Sequence, residues 1–323
     1  MAGLRLFVGM ICVALLIGDR LPSSQVAADP DARAAELRAR IEATPKLPLE
    51  KTWILVKLPA GQELGMISWL AYDSRHKIVW LIQRGSKADP IIAVDTRGNV
   101  LRSFGKGLFK IPHSIRLDAN GNVWTVDAGK SRIIEFSPEG QELLHFDVSE
   151  HSNSSKDDFS GATDIAFAPD GRILISDGYS SARILEYTPK GRLITEWGNA
   201  GSGAGQLHLP HAIILEKDNI VYVADRENGR IEKFDLAGHY LGEIDGLGRV
   251  YSLALGEHGT LWATTAPFNV PPGSAGWIVE MDRGSGKILG NVPVTDVPAL
   301  HCLEIVSGNQ PMTDVGNAVL WFK

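Results

Sequence analysis

Cysteine is nearly missing from these 323 residues: there are two, Cys12 and Cys302. Cys12 lies in an apolar N-terminal run without the small-residue neighbours of a lipid-attachment motif, so a single thiol is left for the folded chain and no internal disulfide can form. The fold must therefore rest on a buried core, and an apolar content of 44% is an ordinary supply for one. Long hydrophobic runs are lacking too. The longest, residues 6–17, falls short of the ~18–20 residues that span a bilayer, so no membrane span is expected in the mature chain, with an uncleaved N-terminal anchor as the alternative. Nor is there an excess of positive charge. With 32 Lys and Arg against 38 Asp and Glu, scattered along the chain, the net charge of −6 gives no footprint for nucleic acid or an anionic membrane.

What is present begins with an export pattern. Arg5 precedes the apolar run of residues 6–17, and a polar stretch ends in Val26-Ala27-Ala28, which suits cleavage before Asp29. Residues 1–28 are thus expected to be a signal peptide and the mature protein secreted or periplasmic. Residues 29–50 are rich in Ala, Arg and Glu at their start, with Leu37 and Ile41 four apart, which predicts a short helical linker or flank.

Internal repetition decides the fold of residues 51–323. The stretch 118–127, Asp-Ala-Asn-Gly-Asn-Val-Trp-Thr-Val-Asp, returns as Ala-Pro-Asp-Gly-Arg-Ile-Leu-Ile-Ser-Asp at 168–177 and again at 216–225. Each copy sets a polar Asn, Asp or Gly turn between two apolar runs, the signal of a hairpin. A third strand follows at 132–136, 183–187 and 230–234, then a glycine turn (Gly140, Gly191, Gly238) and a fourth strand. Four short antiparallel strands make one propeller blade. Fainter copies on both sides bring the count to six, at about 45 residues per blade. The expected class is an all-β, six-bladed propeller. Its last repeat is expected to stop after one hairpin near Phe322, with residues 53–58 supplying the missing strand and closing the ring.

The residue that opens the innermost strand is Ser68, His113, Thr163, His211, Tyr251 and His301 in blades one to six. Three histidines on alternate blades face one another across the axis. Neutral imidazole nitrogens in a three-ligand set with an open position suit zinc. The second strand returns to the same face, so Gln83-Arg84, Asp127-Ala128, Asp177-Gly178-Tyr179, Asp225-Arg226 and Thr265 are expected around the metal. The three aspartates recur from blade to blade and are assigned to structure. Arg84 and Tyr179 have no counterparts in other blades and are the candidates for chemistry; Arg226 lies in a repeat-like loop. Two arginines and a tyrosine beside a metal suit an anionic substrate bearing a hydroxyl to be deprotonated.

The register of Ala168-Pro-Asp-Gly171 and Asn228-Gly-Arg-Ile-Glu-Lys-Phe234 resembles the NHL repeat. Residues 107–113 (Gly-Leu-Phe-Lys-Ile-Pro-His), 176–184, 193–198, 205–211 (Gly-Gln-Leu-His-Leu-Pro-His) and 223–231 resemble more closely one enzyme family, the peptidyl-α-hydroxyglycine α-amidating lyases. That resemblance implies zinc on His113, His211 and His301, Tyr179 as the base, Arg84 as a catalytic arginine and Arg226 in contact with substrate. It also implies a structural calcium bound partly through the carbonyls of Leu70 and Ile115. Blade six departs from the family: Ala299-Leu300-His301-Cys302 stands where the family has Met-Pro-His-Asp, which removes part of the pocket wall and the charged calcium ligand. Cys302 is expected to face away from His301 as a buried thiol, and calcium dependence to be weak or absent. The reading is a monomeric lyase acting on a small peptide or α-hydroxy-amide substrate. Its rival is a non-catalytic NHL propeller that binds a protein or glycan, and a third reading keeps the metal in a hydrolase or lactonase.

Overall fold

A computed structural model describes residues 29–148, 159, 161–179, 181–217, 219–271, 276–294 and 300–323. The expected signal peptide and Ala299 lie outside the described residues.

Six four-stranded antiparallel sheets stand around a common axis. Blade one comprises Ile67–Asp73, Ile78–Gln83, Ile91–Asp95 and Val100–Phe104. Blade two comprises Pro112–Leu117, Val123–Asp127, Arg132–Phe136 and Glu142–Asp147. Blades three, four and five begin with Ala162–Phe167, Pro210–Leu215 and Arg249–Leu255 and repeat the same up-and-down order. The inner strands are buried, and in blades one to four the fourth strand is largely exposed, as in Glu142–Asp147 and Leu193–Trp197, whereas the fourth strand of blade five, Ile288–Val294, is mostly buried.

Blade six has three strands of its own, Glu304–Val306, Gln310–Val315 and Ala318–Phe322, rather than a single hairpin. Its outer strand is Lys51–Ile54, paired antiparallel to the last strand in the register Lys51↔Phe322 to Ile54↔Val319. The ring is closed by residues from both ends of the domain, as expected, but the closing strand sits earlier than 53–58. Lys57 has already left blade six: its N–H donates to Gly98 O at 2.8 Å, in a turn of blade one.

The repeated turn glycine has a packing reason beyond its own φ. Gly140 and Gly238 adopt φ +91° and +81°, and a Cβ there would lie 2.7 Å and 2.4 Å from the rings of Phe104 and Trp197. Each ring comes from the last strand of the preceding blade, so the turn of one blade rests flat on the outer aromatic of its neighbour. A side chain larger than hydrogen would push the blades apart.

The segment expected as a helical linker is a helix, α1 (Pro30–Glu42), docked on the propeller. Asp29 caps it by accepting from Asp31 N–H at 3.0 Å, and Pro30 opens its first turn. Ala34, Leu37 and Ile41 are buried. Arg33 donates to Asn228 O in blade four, and Asn291 of blade five donates to Ile41 O at 3.1 Å.

Candidate metal centre and active site

In five blades the innermost strand slips register at one place: Ile67/Trp69, Pro112/Ser114, Ala162/Asp164, Pro210/Ala212 and Val250/Ser252. The extra residues are Ser68, His113, Thr163, His211 and Tyr251, the positions singled out in the sequence. A bulge re-aims its side chain and releases its peptide groups from the ladder. Both effects are used. His113 Nδ1 donates to Thr163 O at 2.6 Å, His211 Nδ1 to Tyr251 O at 2.7 Å and His301 Nδ1 to Ser68 O at 2.7 Å. Each histidine is thus held by the released carbonyl of the next blade, in the same sense around the ring.

A carbonyl can only accept, so every Nδ1 carries the proton and every Nε2 presents its lone pair. The imidazole centroids are 4.8–5.0 Å apart. The candidate ligand atoms all lie within 4.8 Å of one another, in the one such group of three or more among the described residues. Burial holds all three imidazoles neutral, driving His113 and His211 well below their usual range and His301 to about 3. Three neutral, fixed-tautomer nitrogens around a point fit a borderline dication.

Tyr179 stands over this ring. Its hydroxyl lies 2.9 Å from His113 Nε2 and 3.2 Å from His211 Nε2. Burial raises its pKa, and Arg226 and Arg84 oppose that rise. Arg84 donates through Nε to Pro112 O at 3.0 Å, and its buried Nη2 has no hydrogen-bond partner. The Arg226 guanidinium is 6.0 Å from the Tyr179 ring and 5.4 Å from the Tyr251 ring. Glu227 holds it by accepting from Arg226 Nε at 2.9 Å while also pairing with Arg249. The structure therefore brings Tyr179, Arg84 and Arg226 together beside the histidines.

Other residues expected on this face serve the loops instead. Asp127 accepts from Lys110, Ile111 and Gly129 N–H at 2.7–2.9 Å, which ties down the segment leading into His113. Asp225 does the same through His208 N–H and also binds Asn228 and Arg230. Asp177 pairs with Arg183 at 2.9 Å. Gln83 bridges Gly65, Gly85, Ala88 and Asp89, shaping the loop that carries Arg84. His76, His145 and His239 pair with nearby carboxylates on the outside.

Two residues absent from the sequence reading complete the channel. The Trp69 ring lies 5.8, 6.2 and 5.7 Å from the three imidazoles, nearly equidistant, so it plugs the axis beneath them. Below it the Arg116 guanidinium sits 5.1 Å from the indole. Arg116 donates to both oxygens of the fully buried Asp164, at 3.0 and 2.6 Å, and lies 4.0 Å from Glu304. The residue expected to supply the charged calcium ligand is Cys302, not a carboxylate. Cys302 is buried with its thiol well above the usual range through burial and Asp314, and a neutral sulfur is a poor ligand for a hard cation. Leu70 and Ile115 are buried strand residues in a channel that already contains a fixed cation, Arg116.

Comparisons with known proteins agree with this architecture. A family model described as a 6-bladed beta-propeller matches residues 159–262. The chain is 33% identical over 201 residues to a peptidyl-glycine alpha-amidating monooxygenase of Mus musculus, covering 53% of this chain and 20% of that protein. It thus spans about a fifth to a quarter of the length of the monooxygenases it matches. A probable peptidyl-alpha-hydroxyglycine alpha-amidating lyase of Caenorhabditis elegans is 31% identical over 234 residues, 61% of this chain and 66% of that one. Among solved structures, the virginiamycin B lyase of Staphylococcus aureus superposes with a TM-score of 0.60 over 85% of this chain and 99% of the other, at 14% identity, which speaks to the fold alone. The chain is a six-bladed β-propeller homologous to the peptidyl-α-hydroxyglycine α-amidating lyases.

Proposed function

We propose that this protein is a zinc-dependent lyase that splits a peptidyl-α-hydroxyglycine into the peptide amide and glyoxylate. The observation that carries the reading is the Tyr179 hydroxyl poised over the Nε2 atoms of His113 and His211. His113, His211 and His301 would hold the metal, which when bound acidifies a coordinated hydroxyl and supplies positive charge beside the phenol.

Tyr179 is the general base. It is within hydrogen-bond reach of the point on which the three histidines converge, and Arg84 and Arg226 both favour its ionised form. Tyr179 takes the α-hydroxyl proton, the oxygen's electron pair closes the new carbonyl, and the C–N bond breaks. The departing amide nitrogen takes up the proton that Tyr179 received, so the tyrosine ends as it began. Electrons and atoms balance without a redox partner. Arg84, with its buried and unpartnered Nη2, pairs with the substrate carboxylate, and Arg226, 6.0 Å from the Tyr179 ring, adds positive charge beside the phenol. Trp69 seals the axis from below, so substrate arrives from the Tyr179 face. No helix of the described residues is long and apolar enough to cross a membrane; with the export pattern of residues 1–28, we assign the reaction to an exported protein.

The test is direct. Purified, zinc-loaded protein is incubated with a short peptide ending in α-hydroxyglycine, and glyoxylate and peptide amide are measured. Equimolar formation of both is the expected result. A panel of such peptides left intact by metal-loaded protein would refute the lyase and leave a metal-holding binding propeller.

A further inference from the structure

A crevice between blades three and four opens from the reacting tyrosine. Gly178, Tyr179, Ala182, Asn199, Ala200 and Leu209 line it, around a cavity of about 510 Å³. We infer that this crevice is the subsite for the peptide segment that precedes the reacting residue, a subsite reading that rests on the proposed lyase activity.

The lining is built in advance. Asn199–Ala200 pairs in parallel with Gln206–Leu207, and the loop between them is pinned. Arg230, only 6% exposed, donates to the carbonyls of Ser202, Gly203 and Gln206 at 3.1, 2.9 and 2.6 Å. Asn228 donates to Gly201 O at 2.8 Å. Arg230 is itself held by Asp225 and Glu243 at 2.8 Å. A loop anchored this heavily loses little freedom when a ligand lies on it.

The crevice chemistry suits peptide main chain rather than particular side chains. Asn199 and Ala200 are exposed, and among the described residues their segment pairs only with Gln206–Leu207, so its other edge is where an extended peptide can add its own N–H and C=O groups. At Gly178 the lining is narrow for a backbone reason: a Cβ there would meet Pro210 O at 2.2 Å. The guanidinium in the crevice wall, Arg183, is committed to Asp177 at 2.9 Å and Glu196 at 2.7 Å. Charge therefore does not select the occupant. The ligand class is an extended peptide a few residues long, recognised through its main chain, its C-terminal end at Tyr179.

The experiment compares acetyl-α-hydroxyglycine with acetyl-trialanyl-α-hydroxyglycine. In the parent protein kcat/KM should favour the longer substrate by about tenfold or more, because remote contacts contribute to transition-state binding. Ala200→Trp, at an exposed position in the crevice lining, should abolish that ratio. Ala200→Ser should preserve it, and so should Ala237→Trp, on an exposed turn outside the crevice. Equal kcat/KM for both substrates in the parent, or an unchanged ratio in Ala200→Trp, would overturn the subsite while leaving the lyase intact. If the metal-loaded parent cleaves neither substrate, the lyase reading falls, and calorimetric titration with acetyl-trialanyl amide then decides the crevice by itself. Binding by the parent that Ala200→Trp removes supports it; no binding by the parent overturns it.

Discussion

Arg116→Met should destabilise this propeller severely although Arg116 lies outside the reacting groups. The side chain is 14% exposed, and its partner Asp164 is fully buried, with both carboxylate oxygens committed to the guanidinium. Methionine fills much of the volume and stacks on Trp69, but it leaves the carboxylate with one weaker donor, Ile213 N–H at 3.2 Å. Breaking one side of a buried pair in this way costs about 3–5 kcal/mol. At roughly 2–4 °C per kcal/mol for a domain approaching this size, the melting temperature should fall by on the order of 10 °C. The double variant Arg116→Met/Asp164→Asn removes the stranded charge as well and should recover most of the loss, with a coupling energy of at least ~2 kcal/mol. The assay is denaturant or thermal unfolding of parent, both single variants and the double variant at fixed zinc. A single Arg116→Met variant within about 1 kcal/mol of the parent would show that Asp164 does not depend on this cation, and the description of the lower channel would be wrong.

The remaining expectations concern the upper channel. His211→Ala should lose nearly all bound zinc by elemental analysis, whereas His239→Ala, on an exposed turn beside Asp235, should keep about one zinc per chain; equal retention in both would remove the site. Tyr179→Phe should lower lyase turnover by ~10²–10⁴ while zinc content stays unchanged, and turnover close to parental would assign the base elsewhere. Added or chelated calcium should leave the melting temperature unchanged once zinc is fixed, since Cys302 and Arg116 stand in that part of the channel; a steep rise with calcium would contradict this. Trp69→Ala should cost about 3–5 kcal/mol by opening a cavity on the axis, and a well-folded variant of parental stability would show that Trp69 is not packed as described.

The blades and the ring of histidines were legible because repetition makes them so. Once the hairpin turns at 118–127, 168–177 and 216–225 are aligned and the fainter copies extended to blade six, His113, His211 and His301 fall on equivalent positions without any knowledge of side-chain direction. Trp69, Arg116 and Asp164 were hidden for the opposite reason. Strict strand alternation turns the residue after Ser68 away from the axis, but the bulge at Ile67/Trp69 breaks that alternation and brings the indole beneath the imidazoles. Arg116 finds Asp164 across two blades, 48 positions away, and no local pattern announces that contact. The closing strand was legible in kind and misjudged in place. Apolar residues continue through Leu55 and Val56, yet the last strand offers pairing only as far as Val319, opposite Ile54.

The seam in blade six also sets how the ring responds to traction. Lys51–Ile54 and Ala318–Phe322 run antiparallel with Lys51 opposite Phe322, so the chain enters and leaves the seam at the same end. Pulled from those two points, such a pair peels one bond at a time, starting with the exchange between Glu50 and Lys323. The closing strand is guarded on both flanks: the docked helix α1 takes up tension before residue 50, and the Lys57–Gly98 bond takes it up after residue 54. The closure therefore behaves less like a glued joint than like a zip with a stop at each end.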